Sequence, residues 1–356
     1  MVAQVIREKI DSGEYEDKLP TEGELMSLFQ VSRVTIRKSI ELLQREYPIR
    51  RAKKGGTHIV TSHVHKAGMQ VVLIMPNNTY ESIEIITGAE EVFSHSKIAL
   101  TIKFSDFSEK SERAIIQELK DLDIAGFLIY PANKSANEDL FLSIMEKGIP
   151  LVFIDRSPTR LICSSVSINN QKTAIEIVDF LASLGHQDIV FFANELHSQQ
   201  STLERLWGYL SAMKKHRFSI SQNSIYAFQN YEELQPCLEN FFTHNKKATA
   251  VFCSDDSVAV RFIDEALRRG YRIPDDFSVV GIDNRKLPGF EHTVPLTTVS
   301  QPYRELGRRA AQIVDKQLKY KNSEVTKLYL PAELVVRDSV KAIKKTANQP
   351  GSRLFP

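Results

Sequence analysis

The sequence predicts an α/β protein in two parts: a winged helix-turn-helix in residues 1–62, then two parallel-sheet subdomains within residues 70–343. Two helix-start signals set close together, followed by a basic glycine turn, predict the first part. The second part is predicted by alternation: from Met69 onward, apolar runs of strand length alternate with amphipathic stretches of helix length. At 356 residues the chain exceeds one ordinary core, and 42% apolar with 25% charged residues suits a folded, soluble chain.

The head opens with VAQVIREKI, an amphipathic supporting helix. Thr21-Glu22-Gly23-Glu24 has the form of a capping box, in which the Thr21 hydroxyl takes an orphan N–H while Glu24 reaches back, so a helix runs from about Thr21 to Phe29. Ser32 is the N-cap of a second helix running to about Glu46, with Val31 placed to staple onto Ile36. The tight Gln30-Val31-Ser32 turn between them makes a helix-turn-helix. On the second helix Ile36, Ile40 and Leu43 form a packing stripe, whereas Arg33, Arg37 and Glu41 form another. IRRAKKGGTHIV then reads as two strands around a basic glycine turn, a wing.

The chain's net charge of +2 says little, but between Arg33 and Lys54 eight basic residues stand against Glu41 and Glu46. In helix-turn-helix geometry the second helix enters the DNA major groove by its N-terminal end, where Arg33, Thr35 and Arg37 lie. Each piece alone has a plainer explanation, since basic helix faces are commonly solvated and a Lys-Lys-Gly-Gly turn is commonly a hairpin tip. Their order and spacing together favour DNA. The glycine turn is no nucleotide-phosphate loop, because Lys53 and Lys54 precede the glycines and no Lys-Ser or Lys-Thr follows.

LPTEGELMSLFQVSRVTIRKSIELL with the GGTHIV wing resembles the winged helix-turn-helix of the GntR family. Gly23 stands where that family often has a basic residue, and Lys54 stands at the first wing glycine. The resemblance implies base or phosphate contacts from Arg33 and Arg37, backbone contacts from Ser32 and Thr35, and Gly56 at the wing tip. Thr21 and Lys38 in the helices, and Arg50, Lys53, Lys54 and Gly55 in the wing, complete the candidate DNA contacts.

Residues 63–69 are a linker and 344–356 a tail. Between them QVVLIM, IALTIKF, AGFLIY, PLVFID, SVSI, DIVFFA, TAVFCS and FSVVGID read as strands. Ligands on parallel sheets sit outside the carboxyl ends of strands, where this chain gathers polar and aromatic residues. Asn77, Asn78 and Tyr80 follow the first run, and Asp106 and Phe107 the second. Asp155, Arg156, Asn194, Asp255, Asp256, Asp283 and Asn284 follow later ones. Two successive runs of strands suggest two lobes with a cleft between them, and such residues suit a polyhydroxylated ligand. Asp and Asn after strands are also common helix caps, and Asp256 or Asn284 is expected to be of that kind.

Met75-Pro76-Asn77-Asn78 replaces any glycine-rich dinucleotide fingerprint, and no nucleophile elbow or flanking acid/base pair appears. The expectation is a non-enzyme without cofactor or metal. Cys163, Cys237 and Cys253 are far apart and lack metal-ligand spacing, so they read as reduced. No apolar run reaches the roughly 18 to 20 residues of a membrane span, and no signal peptide is visible, which points to the cytoplasm.

PLVFIDRSP, VDFLASLGHQDIVFFA, ERLWGY, TAVFCSDDSVA, GYRIPDDFSVVGIDN, PLTTVSQPYRELGRRAA and LPAELVVRDS resemble the periplasmic-binding-protein-like effector domain of the LacI/galactose-repressor family. The resemblance implies a two-lobed sensor, with lobe 1 near 70–162 and 293–324 and lobe 2 near 163–292 and 325–343. It implies a sugar-clamping arginine at Arg205, cleft aspartates at Asp155 and Asp283, and further contacts at Ser254 and Asp255. By residue type alone, Arg205 would meet solvent or a surface carboxylate; only the ERLWGY context moves it to the ligand. A GntR-type head on a LacI-type sensor is similar to the arabinose-responsive repressors. It implies a homodimer that binds double-stranded operator DNA and answers a monosaccharide. The alternatives are a purine effector, a cytoplasmic sugar-processing enzyme and a transport binding protein.

Overall fold

The computed structural model describes residues 2–11, 14–15, 18–44, 47, 49–52, 56–59, 68–119, 122–133, 136–196, 199–245, 247–287, 294–321 and 324–343. Two units compose it: Met1–Val166 with Arg304–Leu328, and Ser167–Tyr303 with Tyr329–Pro356.

The head of the first unit holds α1 (Val2–Asp11), α2 (Glu22–Phe29), α3 (Arg33–Leu43), β1 (Ile49–Ala52) and β2 (Gly56–Ile59). Both arms of the Thr21 capping box form: Glu24 N–H donates to Thr21 Oγ1 at 3.3 Å, and Thr21 N–H to Glu24 Oε2 at 2.7 Å. Gln30 takes the left-handed conformation (φ 55°) that ends α2, and the Ser32 hydroxyl accepts Thr35 N–H to begin α3. The expected stripe is the core: Ile36, Ile40 and Leu43 are fully buried with Ile6, Leu25 and Tyr47. α3 ends earlier than the expected Glu46, with Gln44 as its cap. Gln44 Nε2 then donates to Ile49 O and Tyr47 N–H to Leu43 O, turning the chain into the wing with the Tyr47 ring inward. β1 and β2 pair antiparallel, Ile49 opposite Ile59.

The rest of the first unit is a six-stranded sheet in the order β13-β7-β6-β5-β3-β4. Its elements are β3 (Gln70–Met75), α4 (Tyr80–His95), β4 (Ala99–Phe104), α5 (Glu109–Leu119), β5 (Gly126–Ile129), α6 (Glu138–Glu146), β6 (Leu151–Ile154) and β7 (Ser164–Ile168). The second unit is built on α7 (Asn170–Ser183), β8 (Ile189–Asn194), α8 (Gln200–Lys215), β9 (Ile225–Phe228), α9 (Tyr231–His244), β10 (Ala250–Cys253), α10 (Asp256–Arg268), β11 (Ser278–Asp283) and β12 (Thr297–Ser300). The chain then returns to the first unit as α11 (Tyr303–Tyr320) and β13 (Lys327–Leu330), and ends on the second sheet as β14 (Glu333–Val335). The second sheet runs β14-β12-β11-β10-β8-β9, parallel except for β14.

All eight apolar runs are strands, their central residues buried on both faces as parallel sheets under helices require, except in the edge strand β4. The return to the first unit falls after Tyr303 rather than near 293, because β12 pairs with β11. Among the described residues no helix is long and apolar enough to cross a membrane, and no His, Cys, Asp and Glu group could hold a metal ion.

Candidate functional site

On the head, Ser32, Arg33, Val34, Thr35, Arg37 and Lys38 are all exposed at the N-terminal end of α3, where free backbone N–H groups favour a phosphate. Glu22 of α2 reaches across to them: Arg37 Nε lies 3.1 and 3.2 Å from its two carboxylate oxygens, and Arg33 Nε 3.7 Å from one. Nothing in the sequence singles out Glu22 for this, although it sits inside the capping motif. Val34, 64% exposed, adds an apolar surface that residue pattern does not reveal either. Thr21 and Ser32 are engaged as helix caps, and the Thr21 N–H and hydroxyl hold the Glu24 carboxyl below its usual range. Arg50 is exposed on β1 and Gly56 opens β2; Lys53, Lys54 and Gly55 lie outside the described residues.

In the second unit the start of α7 and the ends of β10 and β11 converge on Arg205. Its guanidinium is buried, with Nε donating to Asn170 Oδ1 at 2.9 Å, Nη1 to Ser254 O at 2.5 Å, and Nη2 3.7 Å from Asp283 Oδ1. The expectation of a solvent-facing arginine from residue type alone is therefore overturned. Three residues along α8, Gly208 explains the placement: a Cβ there would lie 2.3 Å from Gln171 O, so only glycine lets α8 press against α7 and bring Arg205 to Asn170. Tyr209 closes the same motif from below, its buried hydroxyl donating to Ile189 O.

Asp283 has φ 113°, a conformation that costs a non-glycine residue about 1 to 3 kcal/mol and gathers at functional sites. Its Oδ1 accepts Gln301 Nε2 at 2.7 Å, and Oδ2 pairs with Arg285 Nη2 at 2.9 Å. Asp106, Phe107, Asp155 and Asn284, also at strand ends, likewise have positive φ.

The cap expected at Asp256 falls on Asp255 instead. Asp255 is the N-cap of α10, its Oδ1 accepting the N–H groups of Ser257 and Val258, because the helix starts one residue earlier than an Asp256 cap requires. Asp256 is buried instead, accepting from the Thr298 hydroxyl at 2.6 Å and Arg285 N–H at 2.8 Å. Burial first, and then the Asp283 charge, push its carboxyl up to about 8. Asn284, with φ 53°, is bonded to Ser300 and Arg337. The Ser254 hydroxyl accepts Asn194 N–H at 3.0 Å.

The first unit has its own polar group. Asp155, 5% exposed, accepts the Tyr130 hydroxyl on Oδ2 at 2.5 Å, and the Arg156 guanidinium covers the Tyr130 ring at 5.0 Å. Asp155 Oδ1 is buried without a hydrogen-bond partner among the described residues, an acceptor open to a hydroxyl. Asn78 and Tyr80, at the start of α4, are exposed. The structure thus groups Arg205, Ser254 and Asp283 in one unit, and Asp155 with Tyr130 in the other.

An outward basic helix on a winged head, joined to two parallel sheets with polar residues at their strand ends, defines a ligand-responsive DNA-binding regulator. Residues 1–59 match the bacterial regulatory proteins of the gntR family, and residues 178–340 the periplasmic binding protein-like domain. This chain carries a GntR-type head on a periplasmic-binding-protein-like sensor. The arabinose metabolism transcriptional repressor of Geobacillus stearothermophilus is 26% identical over 341 residues, covering 92% of this chain and 93% of that one. The repressor PurR of Photobacterium profundum is 28% identical, covering 72% and 77%. The crystal structure of the transcription regulator CcpA of Lactococcus lactis shares the fold, with TM-score 0.68 and 23% identity over 77% of this chain and all of that one.

Proposed function

We propose that this chain represses carbohydrate-utilisation genes under the control of a monosaccharide, with L-arabinose or a related pentose or deoxyhexose as first candidate. The observation that carries this is the buried Arg205 held among Asn170, Ser254 and Asp283. A guanidinium fork beside carboxylate and carbonyl acceptors matches sugar hydroxyls, which both donate and accept. Asp155, Asn78 and Tyr80 from the first unit, and Ser254 and Asp255 from the second, are the further candidate contacts. Likeness to the Geobacillus repressor over nearly the whole chain supports a sugar of this class. The sugar acts by binding two arrangements of a cytoplasmic homodimer unequally, so that operator affinity changes with occupancy.

A purine is the second reading, supported by the exposed aromatic rings of Tyr80 and Phe107 near strand ends and by the likeness to PurR. Thermal unfolding of the full chain with monosaccharides and purines separates the two. A rise in midpoint with a pentose or deoxyhexose alone supports the sugar; a rise with a purine alone overturns it.

A further inference from the structure

The core of the winged head is completed by a residue from the far end of the chain. Tyr320, the last residue of α11, is 7% exposed and packs in one cluster with Ile36, Ile40 and Leu43 of the DNA-reading helix. Its ring meets Tyr47 edge-on, with centroids 5.3 Å apart and planes at 81°. One helical turn earlier, Lys316 Nζ lies 4.0 Å over the Tyr47 ring, a cation on a π face. Tyr47 N–H in turn donates to Leu43 O, the end of α3.

The other end of α11 is fixed just as firmly, against α4. A Cβ on Gly88 would lie 1.8 Å from Arg304 O, and one on Gly307 would lie 1.9 Å from Ile85 O, so the two helix backbones touch. Glu91 then clasps Arg304 and Arg308, the latter through Nη2 at 2.6 Å. α4 begins at Tyr80, shortly after Asn78, and both are candidate effector contacts. Within the first unit a continuous packed path therefore runs from those residues along α4, through the glycine crossing, and down α11 to the core of the head. Such contiguity can carry coupling only if both ends bias one element.

We propose that Tyr320 and Lys316 are positioning residues for DNA reading: through Tyr47 they set the pose of α3, and α11 is the element by which the sensor alters it. The DNA arm stands on the packing of α11 against Tyr47 of the head; the sugar arm rests on the monosaccharide reading above.

The test uses the full chain, with an operator selected by the wild-type protein from random duplexes and L-arabinose as probe. Affinity for that operator is measured with and without the sugar, and sugar affinity is measured by calorimetry. Tyr320→Ala should bind the operator about tenfold more weakly and lose most of a sugar response of roughly 5- to 150-fold, with sugar affinity unchanged. Tyr320→Phe should restore both. Lys316→Met keeps the apolar stem, so it should diminish the sugar response at an unchanged unfolding midpoint, a result that simple packing of the head does not produce. Wild-type operator affinity and sugar response in both Tyr320→Ala and Lys316→Met would overturn the proposal. If the wild-type protein does not answer L-arabinose, the choice of sugar fails, and operator affinity of Tyr320→Ala against Tyr320→Phe still decides the DNA arm.

Discussion

Glu22 on α2 holds Arg37 on α3 by its Nε, with both carboxylate oxygens within 3.2 Å, while the guanidinium remains half exposed. A carboxylate on Nε leaves the outer edge of the fork, Nη1 and Nη2, for a guanine O6 and N7. For the base contact proposed for Arg37, the pairing would orient the arginine before DNA arrives and lower the entropy lost on binding. Arg37→Ala should reduce discrimination between operator and random DNA by about 1 to 3 kcal/mol if the contact is bidentate. Glu22→Gln should reduce it by less and in the same direction. Tighter operator binding by Glu22→Gln would instead make Glu22 a competitor of the phosphates.

The wing answers a different measurement. We propose from their place in the sequence that Lys53 and Lys54 meet phosphates, and phosphate contacts carry no base information. Replacing both by alanine should weaken operator and random DNA about equally. The slope of log K against log salt should become shallower by roughly 0.9 for each phosphate left without its lysine. An unaltered slope means that the wing tip does not meet the duplex.

Buried Asp256 gives the second unit a pH dependence. Its carboxyl is raised to about 8, so between its unfolded and folded values the native state keeps a proton that the unfolded chain has released. Stability is then highest below about pH 4 for this group, falls by up to ~1.4 kcal/mol per pH unit as pH rises toward 8, and levels off above. Asp256→Asn cannot ionise and should flatten the stability curve of the full chain across that window. Curves of the same shape for both proteins would show that Asp256 ionises freely when folded.

Much of this arrangement is legible in the sequence because burial writes it in apolar residues. Strands covered on both faces become runs such as VVLI and LVFI, and the stripe of α3 becomes Ile36, Ile40 and Leu43. β12 escapes that reading because its burial is met by hydroxyls: Thr297 and Thr298 are fully buried, bonded to Arg337 O and Asp256. The Asp255 and Asp256 roles are not legible because a one-residue change in helix start exchanges a cap for a buried acid. The bonds of Glu22 to Arg37 and Tyr130 to Asp155 join residues 15 and 25 positions apart, and local pattern does not reach that far.

The proposed sensing function turns on Arg205, and the burial of this residue makes the obvious variant ambiguous. Arg205→Ala leaves the Asn170 amide oxygen and the Ser254 carbonyl unpaired, at about 1 to 3 kcal/mol each if no water replaces the guanidinium. The loss of sugar response would then be confounded by loss of fold. Asp283→Asn separates the effects, because its side chain keeps an acceptor for Gln301 and nearly the same volume while losing the charge that faces Arg205 and Arg285. This variant should unfold within a few degrees of wild type and bind operator normally, yet bind the sugar about 10- to 100-fold more weakly, the equivalent of roughly 1 to 3 kcal/mol. Arg205→Lys should show the same pattern, since an ammonium offers a point charge where a planar fork is needed. Sugar affinity at the wild-type level in both variants, measured by calorimetry on the full chain, would place the effector elsewhere and leave the DNA-reading half of the molecule as described.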